Sequence, residues 1–184
     1  MKWRAFEELL SEHLDALFGT ALRLCSGRQA DAEDLLQDAA LRAFDGFGSL
    51  RQEAAGRAWL FTILVRTHLN RVRSAQRRPE TLASELDEVA FEEALGAWKP
   101  APNPEELVLS RELRQRIGDA LDGLEPDLRS IVHLVDVEGF PQREVARMLE
   151  IPEGTVASRL FRARRMLRDL LAPAAREYRL WRQQ

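Results

Sequence analysis

The segment Phe140–Leu171, FPQREVARMLEIPEGTVASRLFRARRMLRDLL, constrains the fold of this chain more than any other part of it. Its spacing predicts two helices joined by a tight turn, and the second helix has two distinct faces. Val156, Leu160, Ala163 and Leu167 recur at helical spacing and form an apolar stripe for packing. Thr155, Ser158, Arg159 and Arg162 fall on a different stripe, and every one carries a hydrogen-bond donor. A helix packed on one side and lined with hydroxyls and guanidinium groups on the other suits a major groove. Donors there reach phosphate oxygens and base edges. Arg164, Arg165 and Arg168 carry the charge past that face. The pattern predicts a helix-turn-helix.

The rest of the chain is also helical in period, with no strand-like alternation of useful length. The expected class is all-α: two small helical domains joined by an acidic flexible linker. A first domain over residues 1–78 would hold helices near Phe6 to Cys25, Ala30 to Phe44 and Gly56 to Arg77, with Asp31 as an N-cap. Residues 79–104 read as the linker, ending in KPAPNP, which cannot continue a helix. A second domain over 105–172 would hold helices near Glu105 to Leu121, Pro126 to Val137, Gln142 to Leu149 and Glu153 to Leu171. Residues 173–184 form a short extra helix or a frayed tail.

A net charge of -3 hides a strong segregation. Arg66, Arg71, Arg73, Arg77 and Arg78 crowd into one segment, a second crowd runs from Arg159 to Arg168, and acids dominate from Glu80 to Glu112. Local potential governs binding, so two separated cationic helices matter more than the sum. His68 adds charge to the first of these faces at low pH on this reading. The single cysteine, Cys25, excludes an internal disulfide and reads as a reduced core thiol. The densest apolar run, AWLFTILV, is too short to span a bilayer, and no secretory signal is visible. The expected compartment is a reducing cytoplasm, and neither a metal nor another cofactor is called for.

Two further segments carry chemistry. In DAEDLLQDAALRAF, Asp31 to Phe44, the residues Leu35, Leu36, Ala39, Ala40, Ala43 and Phe44 supply a buried stripe. Asp34, Gln37, Asp38 and Leu41 point to another side, and an acidic face with an apolar member suits a basic partner helix. AWLFTILVRTHLNRVRSAQRR, Ala58 to Arg78, begins aromatic and apolar and ends studded with arginine.

With these three segments in this order, the chain resembles the extracytoplasmic-function (ECF) group of the bacterial sigma-70 family over nearly its whole length. The resemblance implies that Asp34, Leu35, Gln37 and Asp38 bind the coiled-coil clamp of core RNA polymerase. It implies that Trp59 helps capture an unstacked base of the minus-ten element while Arg71, Arg73, Arg77 and Arg78 hold the backbone beside it. Thr155, Ser158, Arg159, Phe161 and Arg162 would read the minus-thirty-five element. The implied partners are core RNA polymerase, promoter DNA and an anti-sigma factor, with no small-molecule substrate, no covalent chemistry and no membrane insertion. This sequence departs from the family pattern at several positions. Ala157 stands where a basic residue is usual, and Glu150 and Glu153 stand where glycine and an apolar residue are common. Arg66 replaces a usual asparagine, and Asn70 a usual aspartate.

Two other functions compete. A stand-alone helix-turn-helix regulator shares the second domain but leaves the acidic motif and the arginine-rich third helix without a role. A metal-dependent nucleotide hydrolase would pair Glu33, Asp34 and Asp38 with Glu92 or Glu93, yet the latter fall in the proline-broken linker, where rigid octahedral geometry is hard to hold.

Overall fold

The computed structural model describes residues 2–50, 55–77 and 104–177, and among these it is built from helices with no strand. The expectations for Arg78, for the acidic stretch up to residue 103, for Glu92 and Glu93, and for the tail beyond 177 lie outside the described residues.

Three helices form an N-terminal lobe: α1 (Lys2–Leu24), α2 (Gln29–Gly46) and α3 (Gly56–Arg77), with a 3-10 turn at Phe47–Ser49 after α2. Leu17, Ala21, Leu22, Ala32, Leu35, Ala39, Phe61, Leu64 and Val65 are buried together where the three meet, as the apolar stripes require. The turn between α1 and α2 needs a left-handed residue, and Gly27 supplies it at φ 77°, its N–H donating to Leu22 O at 2.9 Å. At the start of α3, a Cβ on Gly56 would meet a methyl of Leu9 at 2.5 Å, so glycine permits the close approach of α3 to α1. Asp31 is not the N-cap of α2. Arg28 holds that position, with no side-chain cap, and Asp31 lies within the first turn, ion-paired to Arg28 and placed favourably toward the positive end of the helix.

The C-terminal lobe holds α4 (Pro104–Asp122), α5 (Pro126–Val132) continuing as a π-helical turn (His133–Val137), α6 (Gln142–Leu149) and α7 (Glu153–Glu177). Pro126 opens α5 at the position where a missing N–H costs nothing. The helix α7 runs beyond the expected stop, through Pro173 to Glu177. Burial of Ala174 and Ala175 and an ion pair from Glu177 to Arg116 on α4 (2.5 Å) offset the hydrogen bond that the proline removes.

The two lobes are packed against each other. The rings of Phe61 on α3 and Phe140 in the loop before α6 meet edge-on across the shared surface, 5.3 Å between centroids.

Candidate nucleic-acid and polymerase interfaces

The helix-turn-helix is formed by α6 and α7. Glu150 closes α6 in the left-handed region (φ 55°), and Ile151 N–H donates back to Ala146 O (3.1 Å), which makes the tight turn. Val156, Leu160 and Ala163 of α7 are fully buried, so rotation of the helix is fixed. That rotation leaves Ser158, Phe161 and Arg162 exposed and Thr155 and Arg159 half-exposed. Phe161, at 71% exposure, is the most open large apolar side chain among the described residues. The five sequence-selected residues therefore share the outer side of one helix.

Their arginines are held by carboxylates from α5 and its flanks. Arg159 Nη1 donates to Asp127 Oδ2 at 3.1 Å, and Arg162 Nη2 to Glu125 Oε1 at 3.2 Å. Arg164 grips Asp136 with two bonds of 2.5 and 3.1 Å, and this contact raises its pKa. Exposed pairs of this kind are weak, about 0–1 kcal/mol each, and phosphate can replace the carboxylate. Ser158 Oγ donates to Thr155 O (3.1 Å), within its own helix.

On α3, Trp59 is half-buried against Phe47, with ring centroids 6.3 Å apart, so the indole is both a packing group and a partly open surface. Arg71 and Arg73 lie further along, and Arg77 is exposed near the end. Arg71 Nη2 donates to Asp38 Oδ2 (2.5 Å) and to Asp34 O (2.9 Å), which ties the basic helix to α2. The loop that leads into α3 is described only in part, since residues 51–54 lie outside the described set.

On α2, Asp34, Gln37 and Leu41 are exposed and Asp38 is half-exposed, together forming one polar face with an apolar centre. Leu35 does not belong to that face. It is 0% exposed within the core cluster, because its spacing from Ala32 and Ala39 puts it on the packing side. Leu41, at 61% exposure, is the apolar member available to a partner.

Histidine chemistry departs from expectation. His68 faces inward, not onto the arginine surface, and burial with nearby Arg129 pushes its pKa down to about 4. It adds no charge to the DNA-facing side near neutral pH. His133 is buried too, driven to about 3 by burial and by Arg23 and Arg129. Cys25 is a buried thiol raised to about 11 by burial and Asp31, in keeping with a core role. Among the described residues no group of three or more metal-ligating side chains gathers, and no helix is long and apolar enough to cross a membrane.

The residues least visible in the sequence are those between the lobes. Glu138 accepts from Thr20 Oγ1 (2.8 Å), Arg23 Nη2 (3.2 Å) and Arg57 Nη2 (2.8 Å), all from the N-terminal lobe. Arg129 reaches Leu24 O and Ser26 Oγ at the end of α1. No local pattern marks these as partners, because they are more than 80 residues apart in sequence.

Known proteins match both lobes. The family described as Sigma-70 region 2 matches residues 9–78, and Sigma-70, region 4 matches residues 114–167. The ECF RNA polymerase sigma-E factor of Escherichia coli (strain K12) is 36% identical over 148 residues, 79% of this chain and 76% of that protein. The ECF RNA polymerase sigma factor SigE of Mycolicibacterium smegmatis is 36% identical over 174 residues, covering 94% of this chain and 64% of that protein. Among solved structures, the sigma factor RpoE in complex with the anti-sigma factor NepR from Bartonella quintana superposes with a TM-score of 0.67 at 28% identity, covering 91% of this chain and 96% of that one. Helices, motif order and relatives agree: the chain belongs to the sigma-70 family of RNA polymerase sigma factors, in its ECF group.

Proposed function

We propose that this sigma factor docks on core RNA polymerase through α2, engages the minus-ten element with α3 and reads the minus-thirty-five element with α7. The observation that carries the reading is the rotation of α7: three fully buried apolar residues hold Thr155, Ser158, Arg159 and Arg162 on the outward side. Asp34, Gln37, Asp38 and Leu41 form the polymerase-docking face, where carboxylates around an apolar contact complement a basic helix. Arg71, Arg73 and Arg77 hold phosphates beside the melted strand, with Arg78 continuing the run, and Trp59 borders the base pocket. The protein works in the cytoplasm and performs no covalent chemistry; the polymerase supplies it. An anti-sigma partner is proposed by analogy with the solved sigma factor, which is bound to one.

Run-off transcription tests the proposal. Purified core polymerase supplied with this protein should start RNA at a defined subset of a genomic promoter pool. Core enzyme that starts none with the protein present overturns it.

A further inference from the structure

The apolar stripe of α1 outruns the core it serves. Trp3, Phe6, Leu10, Leu17 and Leu24 share one side of that helix by spacing. Phe6, Leu17 and Leu24 are buried and Leu10 is half-buried, whereas Trp3 stands 60% exposed. A single open apolar side chain would mean little, but Trp3 is not isolated. Its ring meets Phe44 of α2 edge-on at 5.1 Å, and Phe44 meets the buried Phe6 in the same way at 5.4 Å. The core therefore holds the indole in place. Leu41, the exposed apolar centre of the acidic face on α2, lies one turn before Phe44. Trp3, Phe44 and Leu41 thus make one apolar strip across two helices. By helical spacing Phe44 and Asp38 lie on opposite flanks of that face, so Trp3 borders it on one side and Arg71 on the other.

Charge selects the partner. Asp34 and Asp45 are exposed on α2, Asp38 is half-exposed, and Glu7 is exposed one turn after Trp3 on α1. Arg4 and Arg42 each sit one position past Trp3 and Leu41, and adjacent helix positions do not face the same way. The segment 79–103, with six carboxylates against Lys99, is repelled by an acidic rim. A cationic helix is attracted to it, and an arginine or lysine there also binds the open face of the indole.

We infer, resting on the docking role proposed above for α2, that Trp3 extends the polymerase-docking face onto α1: with Phe44 and Leu41 it forms the apolar anchor that receives a basic helix of core RNA polymerase. Tryptophan is among the residue types that carry most of the binding energy at protein interfaces.

Hydroxyl-radical footprinting of the full chain, read by peptide mass spectrometry, tests the anchor without any substitution. Peptide mapping separates Trp3 from Trp59, Trp98 and Trp181. In the free protein Trp3 should label nearly as fast as in the urea-unfolded chain. Assembly with purified core polymerase should slow that labelling at least about 5-fold, because the centre of an interface excludes water. Trp3→Ala should weaken core binding about 10- to 100-fold with helical circular dichroism unchanged. Trp3→Phe keeps a ring on Phe44 and should recover most of that loss. Trp3 that stays reactive in the holoenzyme, or a folded Trp3→Ala that binds as wild type does, overturns the anchor. So does a Trp3 already shielded in the free chain, where the acidic segment, the C-terminal residues 178–184 or a second copy would be its cover. Asp34→Arg, measured alongside, separates the two claims. Lost binding there with Trp3 unprotected leaves α2 as the docking face and removes only Trp3. Full binding there removes the α2 reading, and the extension with it.

Discussion

Arg71 and Asp38 are joined by a hydrogen bond of 2.5 Å that links the proposed DNA-holding helix α3 to the proposed polymerase-docking helix α2. The same guanidinium donates to Asp34 O, so the start of the docking face and the arginine run are tied at one residue. This coupling decides how substitutions there should be designed. Reversing Asp38 disturbs both surfaces, while the Asp34 side chain points outward and only its carbonyl is used by Arg71.

Asp34→Arg is therefore the cleaner probe of docking. Placing positive charge against a basic clamp costs several kcal/mol, so affinity for core polymerase should fall at least about 100-fold. Asp34→Arg with Asp38→Arg should abolish binding. A pull-down that recovers full binding for both places the docking surface elsewhere.

Arg162 sits on the outward face of α7, paired with the exposed carboxylate of Glu125. Arg162→Ala should leave polymerase affinity and fold intact. Initiation at cognate promoters should fall about 10- to 100-fold, the loss expected for a contact worth roughly 1–3 kcal/mol. Equal initiation on every promoter removes the assignment.

Binding of the holoenzyme to promoter DNA should weaken steeply with salt. Each phosphate neutralised adds about 0.9 to the slope of log affinity against log salt. Arg77→Ala should therefore reduce that slope by about one. An unchanged slope means that Arg77 holds no phosphate.

Acid should destabilise the fold through its buried histidines. His68 and His133 lie at about 4 and about 3 when folded, against 6.5 as the ordinary value. The unfolded chain thus takes up protons that the folded one refuses. The stability is fully present above pH 6.5 and is lost as pH falls toward 4 and then 3, by up to about 1.4 kcal/mol per pH unit for each histidine. Urea midpoints measured from pH 7.5 to 5 should fall, and His133→Leu should flatten the fall. Among the described residues neither ring nitrogen of His133 has a hydrogen-bond partner, so this substitution should also raise the midpoint at neutral pH.

Cys25 should resist thiol reagents in the native protein. A shift from 9.0 to about 11 lowers the thiolate fraction roughly 100-fold at pH 8, before burial blocks access. Full labelling only after denaturation is the expected result; rapid native labelling would show an exposed thiol.

Helical period and turn chemistry made the fold legible from residues alone. The stripe Val156, Leu160, Ala163 fixes one side of α7 wherever that helix packs, and so the donor face is legible from spacing alone. The same periodicity, followed strictly, assigns Leu35 to the core, which is where it lies. Capping and stopping were less legible. Asp31 resembles an N-cap only until the preceding turn is known, and Pro173 ends a helix only where nothing beyond it packs.

What sequence determined here are the local quantities: helix faces, the segregation of arginine from acid, and the order of the three motifs that mark the family. These follow from repeats within a few residues, which a linear reading samples directly. Tertiary structure alone decided that Glu138 collects Arg23 and Arg57, that Arg66 meets Glu150, and that Asp127 stands between Arg73 and Arg159. Ion pairs have no period, and their partners are chosen by how the lobes pack. Charge signs in a sequence do not encode the distances between them.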